Sequence, residues 1–494
     1  MKNENAISRR NFLGKSAVAA AGMTIIPSVA MGKTLGHVAP SDKLNIAAVG
    51  IGGMGNANLG HVQNENIVAL CDVDWKYSAG VFDKYPKAKK YKDWREMYDK
   101  MGKSIDAVIV ATADHSHCVV AANAITMGKH VYVQKPLTHS VYESRLLTKL
   151  AEKYKVATQM GNQGSSGSGV NQTCEWIWNG EIGEITKVEA FTDRPIWPQG
   201  LNIPEEQHAV PSTLDWDLFL GPAPVRPYNN IYHPWNWRGW WDFGTGALGD
   251  MACHILHPVF KALNLQYPTK VQGSSTMLLT DCAPTAEMVR LTYPARANMP
   301  KVNMPEVNVT WYDGGLKPMM PAGYPAGKDM NDQGGGVIFH GTKDTLFCGC
   351  YGVNPWLLSG RKPVAPKVLR DVPGGSNGHE MDWVRACKEN PANRVATASD
   401  FKEAGPFNEM VVMGVLAVRL QSLNKELLWD GQNMKFTNIG ADETIRTVVK
   451  DGFTIKDGHP SFNKDWSKPV NARQFAEELV KHNYRAGFTL PAMP

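Results

Sequence analysis

The chain has 494 residues, 43% hydrophobic and 20% charged, with 46 glycines and 31 prolines. That composition is ordinary for a packed globular protein and excludes a disordered, collagenous or coiled-coil chain, and the length suits two or three domains. Of the net charge of +5, Lys2, Arg9, Arg10 and Lys15 against Glu4 place +3 within the first thirty residues. The remainder carries no basic field of the kind that nucleic acid requires.

In chain order, Ser8-Arg9-Arg10-Asn11-Phe12-Leu13-Gly14-Lys15 resembles the twin-arginine export signal. The uncharged stretch from Ser16 to Gly32 has 17 residues, short for a hydrocarbon core of roughly 30 Å. Ser28-Val29-Ala30 offers small residues at a cleavage point. Residues 1–30 are therefore expected to be an export signal and 31–43 a linker, with the mature protein periplasmic or otherwise exported and without a stable membrane anchor.

Residues 44–160 predict a doubly wound parallel sheet. Leu44-Asn45-Ile46-Ala47-Ala48-Val49 reads as a buried strand and runs directly into Gly50-Ile51-Gly52-Gly53-Met54-Gly55. A G-x-G-x-x-G at this junction lets backbone approach a pyrophosphate and opens a helix whose free N–H groups face it. The next strand, Ile67 to Cys71, ends at Asp72, 22 residues after Gly50. An acid there accepts hydrogen bonds from a ribose 2′-OH and repels a 2′-phosphate, so NAD is expected rather than NADP.

The alternation continues through strand 106–112, a helix opening at Asp114-His115-Ser116-His117, strand 130–133, helix 141–154 and strand 156–160. Ligands of such sheets sit at the carboxyl ends of the strands. Gly50, Gly52, Gly53, Met54, Asp72, Thr112, His115, His117, Gln134 and Lys135 are accordingly expected to line the cofactor crevice.

Gln134-Lys135-Pro136, at a strand end, resembles the Glu-Lys-Pro motif of the Gfo/Idh/MocA family, which contains glucose–fructose oxidoreductase and inositol dehydrogenase. The resemblance extends to Gly50–Gly55, Ala111–His117, Gly161-Asn162-Gln163 and Gly249-Asp250-Met251-Ala252-Cys253-His254. It implies that Asn162 and Gln163 also serve the cofactor, and that Lys135 lies beside the nicotinamide and the reacting hydroxyl. An ammonium there donates to the alcohol oxygen as it becomes a carbonyl. Asp250 and His254, at i and i+4 on one helix face, are implied to face the substrate. His254 would take the hydroxyl proton, and Asp250 would bind a sugar hydroxyl or orient the imidazole. His257 is the local competitor. Gln134 departs from the family glutamate, keeping hydrogen bonding but losing a charge beside Lys135.

Beyond Gly161 strict alternation fades, and residues 161–494 predict a second α/β domain with an open, mostly antiparallel sheet for substrate binding and, by family habit, homo-oligomer contacts. Strand-like runs lie at 186–192, 270–277 and 288–293, and an apolar helix at 401–423. Six of the 15 tryptophans fall between Arg194 and Phe243. Aromatic faces beside polar groups suit a sugar, so Trp235, Arg238, Trp240, Trp241 and Asp250 are the expected substrate contacts. The glycine-rich stretch 313–336 reads as a long loop with the makings of a lid.

Eight cysteines are too few for a disulfide framework. The one close pair, Cys348-Gly349-Cys350, lacks metal-ligand spacing around it and reads as small buried residues or one incidental bridge; no metal is expected. The leading expectation is an exported NAD-dependent oxidoreductase acting on a secondary hydroxyl or keto group of a sugar or glycoside, its cofactor held tightly because no NAD pool exists outside the cytoplasm. An NAD-dependent glycoside hydrolase working through transient oxidation and elimination, and a non-catalytic sugar-binding protein, remain as alternatives.

Overall fold

The computed structural model describes residues 42–494; the expected export signal and most of the linker lie outside the described residues. The first sheet is parallel and six-stranded. Its strands are β1 (Asn45–Val49), β2 (Asn66–Cys71), β3 (Lys89–Tyr91), β4 (Ala107–Val110), β5 (His130–Val133) and β6 (Thr158–Met160), in the order β3-β2-β1-β4-β5-β6. Ile46, Ala47 and Ala48 in β1, and all four residues of β4, are wholly buried. Such two-sided burial is what an uninterrupted apolar run achieves in a sheet flanked by helices. The order reverses between β1 and β4, which opens a crevice at their carboxyl ends.

Helix α1 (Met54–His61) leaves β1 through the glycine turn, and α2 (Asp114–Thr126) leaves β4. Helix α3 (Val141–Tyr154) follows β5 and starts on a capping box, with Ser140 and Glu143 each satisfying the other's backbone N–H.

The second sheet has nine strands, built around β7 (Ile185–Thr192), β8 (Lys270–Ser275), β9 (Glu287–Tyr293), β10 (Val307–Tyr312), β11 (Gly335–Gly341) and β12 (Thr345–Gly349). It is mostly antiparallel as expected, except that β10 runs parallel to β7. The long apolar helix α4 (Phe401–Arg419) begins on Asp400, whose side chain accepts from the Glu403 N–H. It stops four residues short of the expected end, because residues 421–423 tighten into a 3-10 turn. This helix packs on β8, on α3 and on α5 (Gly246–Ile255), and one continuous hydrophobic core joins both sheets through it. Helix α5 thereby carries its residues to the carboxyl ends of the parallel strands.

All eight cysteines are free and buried, Cys348 and Cys350 included, so that pair takes the first of its two readings. Among the described residues, no helix is long and apolar enough to cross a membrane, and no three His, Cys, Asp or Glu side chains gather into a metal site.

Candidate active site

A cleft opens at the ends of β1, β2, β4 and β5, lined among others by Gly50, Gly52, Gly53, Met54, Asp72, Thr112, His115, Gln134 and Lys135. Its floor needs glycine. Gly50 has φ +77°, and a Cβ there would sit 2.6 Å from the Ala111 carbonyl carbon. Neither the conformation nor the space admits a side chain.

Asp72 ties the loop down. Its Oδ2 accepts from the N–H groups of Ile51 (2.8 Å) and Gly52 (3.2 Å), and its Oδ1 from that of Asp74 (2.9 Å). Burial raises its pKa, and those hydrogen bonds pull it partly back. The carboxylate thus shapes the glycine turn first, and its remaining lone pairs face the cleft.

The far wall comes from the second domain. Residues 213–215 bridge to the segment after β2, with the Asp215 N–H donating to Val73 O and the Trp75 N–H to Thr213 O. His233 Nε2 lies 3.0 Å from Asp74 Oδ2, and its ring meets Tyr77 edge-on. Tyr77, 40% exposed, rests on Gly52 so closely that a Cβ there would lie 2.2 Å from its ring. Tyr77, His233 and Trp237 all line the cleft; the last two belong to the tryptophan-rich stretch, and no motif in the sequence marks Tyr77. Only tertiary folding brings them there.

Lys135 stands where the two domains meet. Its ammonium donates to Asp250 Oδ1 (2.8 Å) and to the Asp250 carbonyl oxygen (3.0 Å). Arg238 donates to the same Oδ1 through Nε at 3.1 Å. Burial would raise the Asp250 pKa, but the charges of Lys135 and Arg238 outweigh it and hold the carboxyl well below its usual range. Asp250 therefore clamps the lysine rather than orienting the imidazole.

His254 has no hydrogen-bond partner on Nδ1, which is fully buried. Burial, then the Lys135 charge, push its pKa down to about 3, so the ring is neutral at pH 7. Its ring packs 4.6 Å from that of Tyr351, a residue at φ +64° that sequence reasoning also missed. The competitor His257 is engaged elsewhere, 2.7 Å from Glu403. Asp114, on α2, is another unforeseen neighbour. Burial pushes its carboxyl up to about 7, offset in part by the Thr245 hydroxyl that donates to it. Two carboxyls within the field of Lys135 thus occupy opposite protonation regimes, a pattern characteristic of acid–base sites.

Several expected residues are placed differently. His117 does not line the cleft; it is buried, with Nδ1 2.8 Å from Pro136 O and Nε2 3.0 Å from Thr112 O. His115 lines the cleft, with its two ring nitrogens near Phe243 O and Phe219 O. Burial pushes their pKa values down to about 3 (His115) and about 4 (His117), so each ring is neutral and its single N–H braces one of its two carbonyls. Asn162 and Gln163 lie off the cleft lining, and the Asn162 amide is buried without a partner.

Trp240 and Trp241 correct the expectation of sugar contacts. Trp240 is 0% exposed and packs with Tyr232 and Phe243. Trp241 is also buried, with its backbone N–H donating to Asp281 O and the Arg419 guanidinium 5.4 Å from its ring. The backbone folds inward after the 3-10 turn Asn236–Gly239 and takes both rings into the core. Trp235 stays 46% exposed, and Arg238 is stacked 3.8 Å from its ring and 4.3 Å from that of Trp237. The loop 313–334 does not line the cleft; Tyr324 and Lys328 anchor it on Phe347 and Trp356.

The residues present fit a dinucleotide. A glycine cradle that no Cβ can enter, an acid at the end of β2 and a cleft reaching Gln134 and Lys135 would hold it, with Tyr77 the side chain it would meet above Gly52.

Comparison with known proteins agrees. Residues 44–162 match the model described as "Oxidoreductase family, NAD-binding Rossmann fold", and residues 177–300 match the "Oxidoreductase family, C-terminal alpha/beta domain". The chain is 29% identical over 147 residues to inositol 2-dehydrogenase of Salmonella typhimurium, covering 28% of this chain and 43% of the relative. It is 30% identical over 159 residues to glycosyl hydrolase family 109 protein 1 of Akkermansia muciniphila, covering 30% of this chain and 33% of that one. An alpha-N-acetylgalactosaminidase of Shewanella oneidensis matches at 26% over 212 residues, covering 37% and 45%. The matches thus span less than half the length of these relatives.

Among solved structures, the WlbA dehydrogenase from Bordetella pertussis in complex with NADH and UDP-GlcNAcA shares the fold, with a TM-score of 0.54 at 15% identity over 78% of this chain and 99% of that one. An NAD-binding oxidoreductase from Klebsiella pneumoniae gives 0.53 at 18% identity, covering 78% and 99%. An NAD-binding Rossmann domain is thus followed by an α/β domain, each matching a model of the Gfo/Idh/MocA oxidoreductase family.

Proposed function

We propose that this protein is an NAD-dependent oxidoreductase that interconverts a secondary hydroxyl and a keto group on a sugar or glycoside. The observation that carries the reading is Lys135, clamped at 2.8 Å by Asp250, in the lining of a cleft fitted to a dinucleotide, with the neutral imidazole of His254, itself off that lining, within the field of the lysine's charge. Bound NAD supplies the hydride acceptor or donor. The chain supplies the rest. The Lys135 ammonium donates to the substrate oxygen and stabilises charge developing there, while Asp250 keeps that ammonium aimed. His254 accepts the hydroxyl proton at Nε2 on oxidation and returns it on reduction. Trp235 and Arg238 offer a ring face and donors to the sugar.

If the protein is exported as Arg9-Arg10 suggests, its nucleotide must be recycled without leaving. The test combines two measurements: denaturing the purified protein and assaying released nucleotide, then offering a panel of glycosides while following nicotinamide absorbance and sugar products. A keto-sugar with reduced nucleotide is the expected result, and a chain that never binds NAD would overturn the reading. The similarity to family 109 glycosyl hydrolases favours a second reading, in which oxidation is transient and a glycosidic bond is cleaved. Release of free sugar without net nucleotide reduction would select it. Retained sugar binding with no turnover would instead leave a sugar-binding protein.

A further inference from the structure

Gln134 is held by a chain of hydrogen bonds that ends on an acid far away in sequence. Its Nε2 donates to Asn58 Oδ1 (2.9 Å) on α1. Asn58 Nδ2 in turn donates to Glu380 Oε1 (2.7 Å), across 322 residues of sequence. The Tyr132 hydroxyl donates to the same Oε1 at 3.3 Å, and His61 Nδ1 stands 2.9 Å from Oε2. Asn58, Tyr132, Gln134 and Glu380 are all buried. Gly161 presses on the Gln134 amide so closely that a Cβ there would sit 2.7 Å from Nε2.

The direction of this chain is forced. Glu380 Oε1 accepts from both the Asn58 amide and the Tyr132 hydroxyl. Asn58 must therefore turn its NH₂ to Glu380, which leaves its oxygen for Gln134. Gln134 must answer with its own NH₂, and its Oε1 is left without a partner in the chain, at the wall of the cleft next to Lys135.

We propose that Glu380 is a positioning residue for the nicotinamide end of the cleft. Through Asn58 it sets which face of the Gln134 amide the cofactor meets, and it makes glutamine rather than glutamate obligatory at position 134. A carboxylate at 134 would oppose the Asn58 oxygen, and turning Asn58 over would set that oxygen against Glu380. The proposal rests on the NAD reading of the cleft.

The test is a double-mutant cycle on the full chain, measuring NAD affinity by calorimetry and folding by thermal melting. Gln134→Glu alone is expected to weaken NAD binding by about 5- to 150-fold, the range for one buried unsatisfied polar contact. Adding Glu380→Gln supplies an NH₂ for a turned Asn58 and should restore affinity to within about threefold. If Gln134→Glu fails to fold, recovery of the native melting transition in the double variant supports the proposal equally, and no recovery overturns it. Unchanged affinity in Gln134→Glu, or a double variant no better than the product of the two singles, also overturns the proposal. Failure of the wild-type chain to bind NAD would instead overturn the cofactor reading.

Discussion

On the Rossmann side of the cleft, Gly50, Thr112, Gln134 and Lys135 stand at the carboxyl ends of parallel strands. On the opposite side, Trp235, Trp237 and Arg238 come from a short turn that no strand supports. The first wall is made largely of backbone whose direction is set by sheet pairing, so a motif's position in the chain is nearly its position in space. The second wall is made of side chains whose direction is settled only when the domain packs. That is why Lys135 could be placed from its motif, while four neighbouring tryptophans divided between cleft and core.

The comparison breaks hardest at Lys135. Replacing it with alanine should lower turnover by about 10²–10⁴-fold, with NAD affinity kept within about threefold, as single-turnover absorbance and calorimetry would show. An equal loss of nucleotide binding would mean that the lysine belongs to the cofactor cradle instead.

On the second wall, Trp240→Ala should cost about 3–5 kcal/mol of stability, read from denaturant unfolding, and leave KM unchanged once folded. A raised KM without lost stability would return Trp240 to the substrate site.

The neutral histidine braces predict acid sensitivity. Burial holds His115 and His254 at about 3, and His117, His130 and His482 at about 4. All lie below the unfolded value of 6.5, so between these limits the unfolded chain binds more protons and stability falls as pH drops. Asp114, Glu143 and Asp313, raised to about 7 chiefly by burial, act in the opposite sense, as do Asp72, Asp242, Glu287, Asp400 and Glu409, whose carboxyls burial also raises. On acidification from pH 6.5 to 4.5 the unfolding free energy should therefore fall by roughly 1.4 kcal/mol per pH unit for each proton by which histidine uptake in the unfolded chain exceeds carboxyl uptake in the folded one. A denaturant-unfolding profile that rises instead would show that the carboxyls dominate.

The smallest effect is expected at Trp235. Its alanine variant should change stability by no more than about 0.5 kcal/mol, because the ring is nearly half exposed, yet raise KM for the sugar. No change in KM would leave Arg238 as the polar contact on that wall.

The parallel sheet was legible because uninterrupted apolar runs such as Ala107–Val110 between glycine and aspartate turns have few other ways to be buried. The second sheet was only partly so: strands β11 and β12 carry glycines at their ends and weak alternation, and the parallel pairing of β7 with β10 is a long-range choice. At the site, Gly50, Asp72, Lys135, Asp250 and His254 were read from spacing and resemblance. Tyr77, Asp114, His233, Tyr351 and Glu380 were not, since each matters only through contacts made by distant segments. Glu380 is the extreme case, acting on Gln134 through one intervening asparagine.

The eight thiols, every one buried and unbridged, amount to a built-in clock for opening of the native state. They are spread from Cys71 in β2 to Cys387 just before α4, so both sheets are sampled. A thiol-specific reagent should find few targets until a region unfolds, and the peptide in which label first appears would name the part of the molecule that opens first. Nucleotide that braces the cleft should slow labelling at Cys71 and Cys253 more than at Cys387, which makes ligand occupancy readable by mass spectrometry without any substrate in hand.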